Sequence, residues 1–427
     1  MATLVLLAGA VGLILVGVPI AFSLGLASMA FLWLTGTPLS SITQVGVTGL
    51  NTYPLLAIPF FIMAGEVMNT GGVTRRLVGF ASAWVGHFTG GLAHVAVVAN
   101  MVMAGLSGSA VADASALTTV MLPSMVKRGY PRPFSAALLM SAATIGPIIP
   151  PSIPMVLYGL AASVSIGALF LGGVIPGIVM GVCLMGYSYL VARRHGYQPE
   201  HAYSLRHALR ATVEALPALF MPIILLGGVL GGLFTPTEAA AVSVVYGLLI
   251  GFFVYRELRL DNVLELLRLT AYRTSLVVII LASTTLLGYV LALEQIPTKV
   301  SEALLQLSSS PWVLLVLINV FLLFVGCFID AAAAILILAP ILVPIVAEVG
   351  ISPVHFGVIM VLNLMVGLLT PPVGGLLYIV SEVAQMRFEV LVKAVLPFLL
   401  PLLVSLALVT YIPWLTLWLP SVFGLGT

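Results

Sequence analysis

Apolar runs long enough to cross a bilayer recur from one end of this 427-residue sequence to the other. Between them, no stretch longer than about 25 residues is polar enough to build a soluble domain. That repetition sets the fold class before any motif is read: an all-α polytopic membrane protein. Composition agrees, since 7% of the residues are charged and the mean hydropathy is +1.22, where a soluble domain carries about 25% charge. A formal net charge of +2 gives no basis for nucleic-acid binding. Cys183 and Cys327 lack ligand-like spacing, so neither a disulfide framework nor a zinc site is expected. The first segment, MATLVLLAGAVGLILVGVPIAF, has no basic leader and no clear cleavage site, and reads as a retained helix.

Bounded by Gly, Pro or charge, the runs place about ten transmembrane helices at 3–17, 19–35, 54–70, 134–161, 166–192, 213–234, 236–255, 274–293, 356–380 and 395–416. Two more stretches, 91–127 and 311–347, are too long for one crossing and too interrupted for two. They read as re-entrant helical hairpins that return to their own side. The basic residues test this layout. With the N-terminus outside, the inside collects Arg75, Arg76, Lys127, Arg128, Arg132, Arg193, Arg194, Arg206, Arg210, Arg256, Arg259, Arg268, Arg273, Arg387 and Lys393, leaving Lys299 alone outside. Such asymmetry satisfies the positive-inside rule, whereas counting either hairpin as a crossing inverts everything after it. Both termini are thereby expected on the outer face.

Residues 1–210 and 211–427 echo each other. GVPIAFSLGLAS resembles FTPTEAAAVSVVYG, TIGPIIPPSIPMVLYG resembles MVGLLTPPVGGLLYIV, and the hairpins align through GLSGSAVADASALTTVMLP and GCFIDAAAAILILAPILVP. The separation is 221 at Gly146/Gly367, Pro150/Pro371, Pro151/Pro372 and Pro176/Pro397, but 217 where Asp113 is matched with Asp330. Each half holds five crossings, so the second copy is inserted inverted, a signature of secondary transporters. Segments 73–88 and 296–310 precede the hairpins at equivalent places and have the amphipathic character of interfacial arms.

Each half carries two interruptions. The hairpin tips are Leu106-Ser107-Gly108-Ser109-Ala110 and Gly326-Cys327-Phe328-Ile329-Asp330. The opposing breaks are 144–151, with Thr144, Gly146, Pro147, Pro150 and Pro151, and 367–372, with Gly367, Thr370, Pro371 and Pro372. A broken helix exposes unpaired backbone groups that lipid cannot satisfy, so the breaks must face protein, water or a ligand. Freed carbonyls suit a hard cation and freed N–H groups suit an anion. One ion per half, with substrate between, is the natural reading. Thr370-Pro371 suits an N-cap and first helical position. Asp113 and Asp330 are ionisable groups at membrane depth and so functional candidates, whether as ligands or by orienting a tip. Thr235 and Glu238 read as a capping box. Glu66 and Asn69 end a span and read as interfacial; 193–210 reads as a solvated loop. No cluster of arginines lies at membrane depth, so a substrate anion would rely on backbone N–H groups and on Ser107, Ser109, Ser152 and Thr370.

At GLSGSAVADASA, KRGYPRPFSAAL, GPIIPPSIPMVLYG, GGLFTPTEAAAVSVVYG and GLLTPPVGGLLYI the chain resembles the large membrane subunit of tripartite ATP-independent periplasmic (TRAP) transporters. The resemblance implies an importer of the bacterial inner membrane, driven by a sodium gradient, with an elevator-type fold. It implies two partners: a small four-helix membrane subunit, separate because this chain starts directly at its first span, and a periplasmic binding protein that delivers an organic acid. Sodium ions are implied where tips meet breaks, at Ser107, Gly108, Ser109, Thr144, Gly146 and Pro147, and at Gly326, Asp330, Gly367, Thr370 and Pro371. No organic cofactor is implied. A stand-alone sodium-coupled carboxylate symporter is the nearest rival. An intramembrane serine protease is a remote one: Gly105-Leu106-Ser107-Gly108 matches G-x-S-G, but no histidine lies mid-span on a later helix to act as base. A passive channel suits paired inverted hairpins less well than alternating access does.

Overall fold

The computed structural model describes residues 9–10, 12–14, 16–296, 298–299 and 310–425, which are helical throughout with no strand among them. Most of the first expected span and of the 296–310 arm lie outside the described residues. The first hairpin is Gly91–Ser107 and Ala110–Lys127; the second is Pro311–Phe328 and Ala331–Glu348. The first broken helix is Arg132–Ala143 followed by Ile153–Ala162, and the second is Pro353–Gly367 followed by Gly375–Val383. Seven described helices are individually long and apolar enough to cross a membrane, or up to eight with one bent pair. The broken spans drop out because each half is too short alone.

Why these breaks form is local chemistry. Ser152 caps its half-helix by accepting from the Met155 amide at 3.2 Å, and a proline stands in the first turn, where no amide partner is needed. In the second repeat the half-helix is started instead by Gly374, whose φ of +55° favours glycine. The Thr370 N-cap expected from sequence is therefore corrected: Thr370 Oγ1 donates back to Val366 O at 2.9 Å. Both Pro-Pro bonds in the breaks are cis.

The repeats interlock. Each hairpin's first helix packs on its own repeat's first half-helix, and its returning helix packs on the other repeat's second half-helix. Tyr158 fastens this crossing, its hydroxyl donating to Pro353 O at 2.7 Å and its ring meeting Phe356 edge-on. Every residue from Val354 to Gly367 is buried, which explains a helix that is apolar on all sides. Around this unit stand Ile20–Leu34, Ala57–Thr70, Pro236–Leu249 and Leu260–Leu293. The first pairs with the fourth and the second with the third, as an inverted repeat would pair them.

Several segments differ from expectation. The amphipathic arm is a helix, Val73–Val85, with Leu77 and Ala81 buried beneath it. The solvated connection shrinks to 196–204, since helices run to His195 and restart at Leu205 under a Ser204 cap. The 210/211 repeat boundary thus falls inside Leu205–Leu230. Helix Leu39–Leu50, too polar to read as a span, bends by 58° into the following one. Helix Leu260–Leu293 begins fourteen residues before the expected span at 274, because charge ended the apolar run but not the helix. A further helix, Trp414–Val422, follows Phe388–Tyr411.

Candidate functional site

The first tip is organised by side chains. Ser107 ends the descending helix, Gly108 turns the chain at φ +58°, and Ser109 caps the returning helix through the Ala112 amide at 3.4 Å. Gly108 also lies against the break, since a Cβ there would stand 2.5 Å from Pro151 O. Asp113, in the first turn, is 0% exposed. Ser107 Oγ donates to its Oδ1 at 2.5 Å, while Oδ2 has no hydrogen-bond partner among the described residues. A Cβ on Gly146 would come within 2.5 Å of that Oδ2. Glycine at 146 is thus what lets the Asp113 carboxylate touch the break. An ionised oxygen buried with no donor is costly unless a cation or donor meets it, so this cradle has the chemistry a cation requires.

The other first-repeat candidates support the break. Thr144 Oγ1 donates to Ser141 O at 2.7 Å. Ser152 Oγ donates to Pro147 O at 2.5 Å while capping its half-helix. The Thr144 and Gly146 carbonyls accept no hydrogen bond among the described residues, as a discontinuity demands.

The second tip is organised by backbone. Gly326 and Gly367 meet face to face: a Cβ on Gly367 would stand 2.7 Å from Gly326 Cα. The Gly374 amide donates to Cys327 O at 3.0 Å, tying tip to break. The Thr370 and Leu368 carbonyls turn toward Gly374, 3.1 and 3.2 Å from where its Cβ would be. Asp330 is exposed and caps the returning helix by accepting from the Ala332 amide at 2.9 Å. It therefore occupies the place of Ser109, 221 residues earlier, and not that of Asp113, whose counterpart is Ala334. The repeat separation is 221 here too, and the Asp113/Asp330 match was fortuitous.

Between the tips lies a cavity of about 510 Å³, bordered by Ser107, Ser109, Asp330, Glu66 and Arg273. A smaller one, about 120 Å³, is bordered by Gly108, Ser109, Pro147, Asp330 and Leu368, so both tips and both broken helices reach it. Thr144, Ser152, Thr370 and Pro371 line neither. Glu66, read as interfacial, and Arg273, read as cytoplasmic, both face the larger cavity and are ion-paired. Sequence reading also passed over a buried polar chain fastening the second hairpin. Asn363 Nδ2 donates to Asn319 Oδ1 at 2.6 Å, Asn319 Nδ2 donates to Thr410 Oγ1 at 3.2 Å, and a His355 ring nitrogen lies 3.3 Å from Thr410 O. Asparagines isolated within apolar runs were the available signal. Ser107 meets an aspartate and no histidine, and a ring nitrogen of His94 lies 3.2 Å from Thr89 O, so a nucleophile–base pair is not assembled. Thr235 and Glu238 form the reciprocal capping box of Pro236–Leu249, away from both cavities.

Residues 7–415 match the family model of the tripartite ATP-independent periplasmic transporter DctM component. The chain is 44% identical over 416 residues to the sialic acid TRAP transporter large permease protein SiaM of Vibrio cholerae, covering 97% of each. It is 46% identical over 374 residues to the C4-dicarboxylate TRAP transporter large permease protein DctM of Pseudomonas aeruginosa, covering 88% of each. A crystal structure of the YdaH transporter of Alcanivorax borkumensis matches with a TM-score of 0.63 at 18% identity, over 91% of this chain and 90% of that one. At that identity the likeness is one of fold.

Proposed function

This chain belongs to the DctM component family of tripartite ATP-independent periplasmic transporters, a family of transporter permeases and not of enzymes, and we propose that it is the sodium-driven membrane importer of an organic acid. It works in a bacterial inner membrane with a small membrane subunit and a periplasmic binding protein, its termini facing the periplasm. The observation that carries this reading is the convergence of two tips and two broken helices on one shared cavity.

Sodium is cargo here, moved with the substrate. In the first cradle, Asp113 Oδ2 and the Thr144 and Gly146 carbonyls are the oxygens that would meet it. In the second, the Thr370 carbonyl and the Asp330 carboxylate serve. Ion binding offsets the buried Asp113 charge and draws each tip onto its break. The Ser109 hydroxyl, whose proton goes to no acceptor among the described residues, then orients the substrate's carboxylate, while Ser107 keeps its proton on Asp113. The interlocked hairpins and broken helices move together against the surrounding helices, carrying both ions and substrate across.

The test is uptake into proteoliposomes holding the chain and its small partner. Uptake is expected only with an inward sodium gradient and liganded binding protein. Uptake of free substrate without the binding protein would identify a stand-alone symporter instead, and indifference to sodium would end the coupling proposal.

A further inference from the structure

We propose that Arg273, held by Glu66, is the anion-binding contact through which the surrounding helices receive the substrate's carboxylate. This assignment rests on the organic-acid reading above and gives it a specific residue. Arg273 lies near the middle of Leu260–Leu293 and Glu66 near the end of Ala57–Thr70, and Arg273 Nη1 donates to Glu66 Oε1. Glu66 is 14% exposed and Arg273 is 42% exposed, so the carboxylate is the more buried half of a pair that borders the cavity. A guanidinium carries five N–H donors in a planar fork that matches a carboxylate. Glu66 takes one nitrogen, and no other described residue accepts from Arg273. Arg273 borders the same cavity as Ser107, Ser109 and Asp330, so its remaining donors are available to a ligand there.

The charge pattern points the same way. Arg273 is the one cation among the residues bordering the cavity, against Glu66 and Asp330. A clamp between two helices would not need its cation half exposed, because Ala57–Thr70 and Leu260–Leu293 already pack against each other. A carboxylate entering this cavity gains charge-assisted hydrogen bonds from Arg273 in a space that the tip residues Ser107 and Ser109 also border. Glu66 competes for the same guanidinium, keeping it oriented and neutralised until the substrate arrives. Arg273 stands outside the hairpins, so this contact belongs to the arrangement seen here and is released when the hairpin unit slides away.

The test uses the chain co-purified with its small partner in detergent and sodium. Thermal stabilisation is titrated with pyruvate, succinate and N-acetylneuraminate as probes. The wild type is expected to respond to at least one of these. Arg273→Gln should raise that probe's half-saturating concentration about ten-fold or more, the scale of lost charge-assisted hydrogen bonds. Arg273→Lys should recover part of it, since the charge returns without the fork. Glu66→Gln, which removes the competing anion and needs no change at the arginine, should tighten the probe several-fold. In all three, stabilisation by sodium without carboxylate should match the wild type. Wild-type probe affinity in Arg273→Gln, or no tightening in Glu66→Gln, would overturn the assignment and leave the organic-acid reading intact. A wild type indifferent to every carboxylate would overturn both.

Discussion

The two hairpin tips solve one geometric problem with different chemistry. In the first, a buried carboxylate spans the gap: Asp113 takes a hydrogen bond from Ser107 and reaches the break at Gly146. In the second, the gap is closed by removing side chains, with Gly326 against Gly367 and the Gly374 amide on Cys327 O. The acid there, Asp330, is exposed and ends a helix. An inverted repeat thus preserves the placement of unwound backbone while its side chains diverge. It follows that loss of a buried charge should matter most at the first cradle, and loss of close glycine-to-glycine approach at the second.

The largest effect is expected from Asp113→Asn. The change keeps shape and the acceptor for Ser107 while removing the one buried negative charge at the first break. Sodium-driven uptake should fall by about 100-fold with little loss of folded protein, the outcome for an intramembrane charge with a functional role. Uptake within two-fold of wild type would reduce Asp113 to a hairpin fastener. Next is Gly367→Ala, whose methyl would collide with Gly326 backbone that has no rotamer to escape by. Overpacking of this kind costs about 1–3 kcal/mol, so a lowered melting temperature and a raised sodium requirement should appear together. Tolerance of alanine at 367 would mean that the second tip does not need close backbone approach.

Smaller effects sharpen the contrast. Ser107→Ala leaves both Asp113 oxygens without a donor, at about 1–3 kcal/mol, and should weaken sodium activation several-fold. An unchanged activation curve would show that Ser107 and Asp113 are not one unit. Smallest for stability is Asp330→Asn, because asparagine caps a helix about as well as aspartate. Its unfolding free energy should move by less than about 0.5 kcal/mol, while half-saturation by sodium rises a few-fold. Unchanged sodium dependence would remove Asp330 from the second site.

What was legible in the sequence was the backbone. Ser107-Gly108-Ser109, Gly146-Pro147 and Gly367 announce where the hydrogen-bond ladder stops, because Gly and Pro act on the main chain itself, and the breaks at 144–151 and 367–372 followed. Side-chain partnerships across the fold were less legible. Asp113 was matched with the wrong aspartate because two acids in similar apolar settings outweigh a four-residue slip. Arg273's charge ends an apolar window, so the helix that runs through it and its ion pair with Glu66 are not legible there. Thr370-Pro371 resembles a cap and first helical position, but the chain passes through turn and bend at 368–372 and the half-helix starts only after Gly374.

The most direct test of two unequal ion cradles is equilibrium binding of radioactive sodium to the purified complex of this chain and its small partner. Saturable binding is expected in the wild type, reduced by Asp113→Asn and by Gly367→Ala separately, and abolished when the two are combined. Wild-type sodium binding in the double variant would contradict the account.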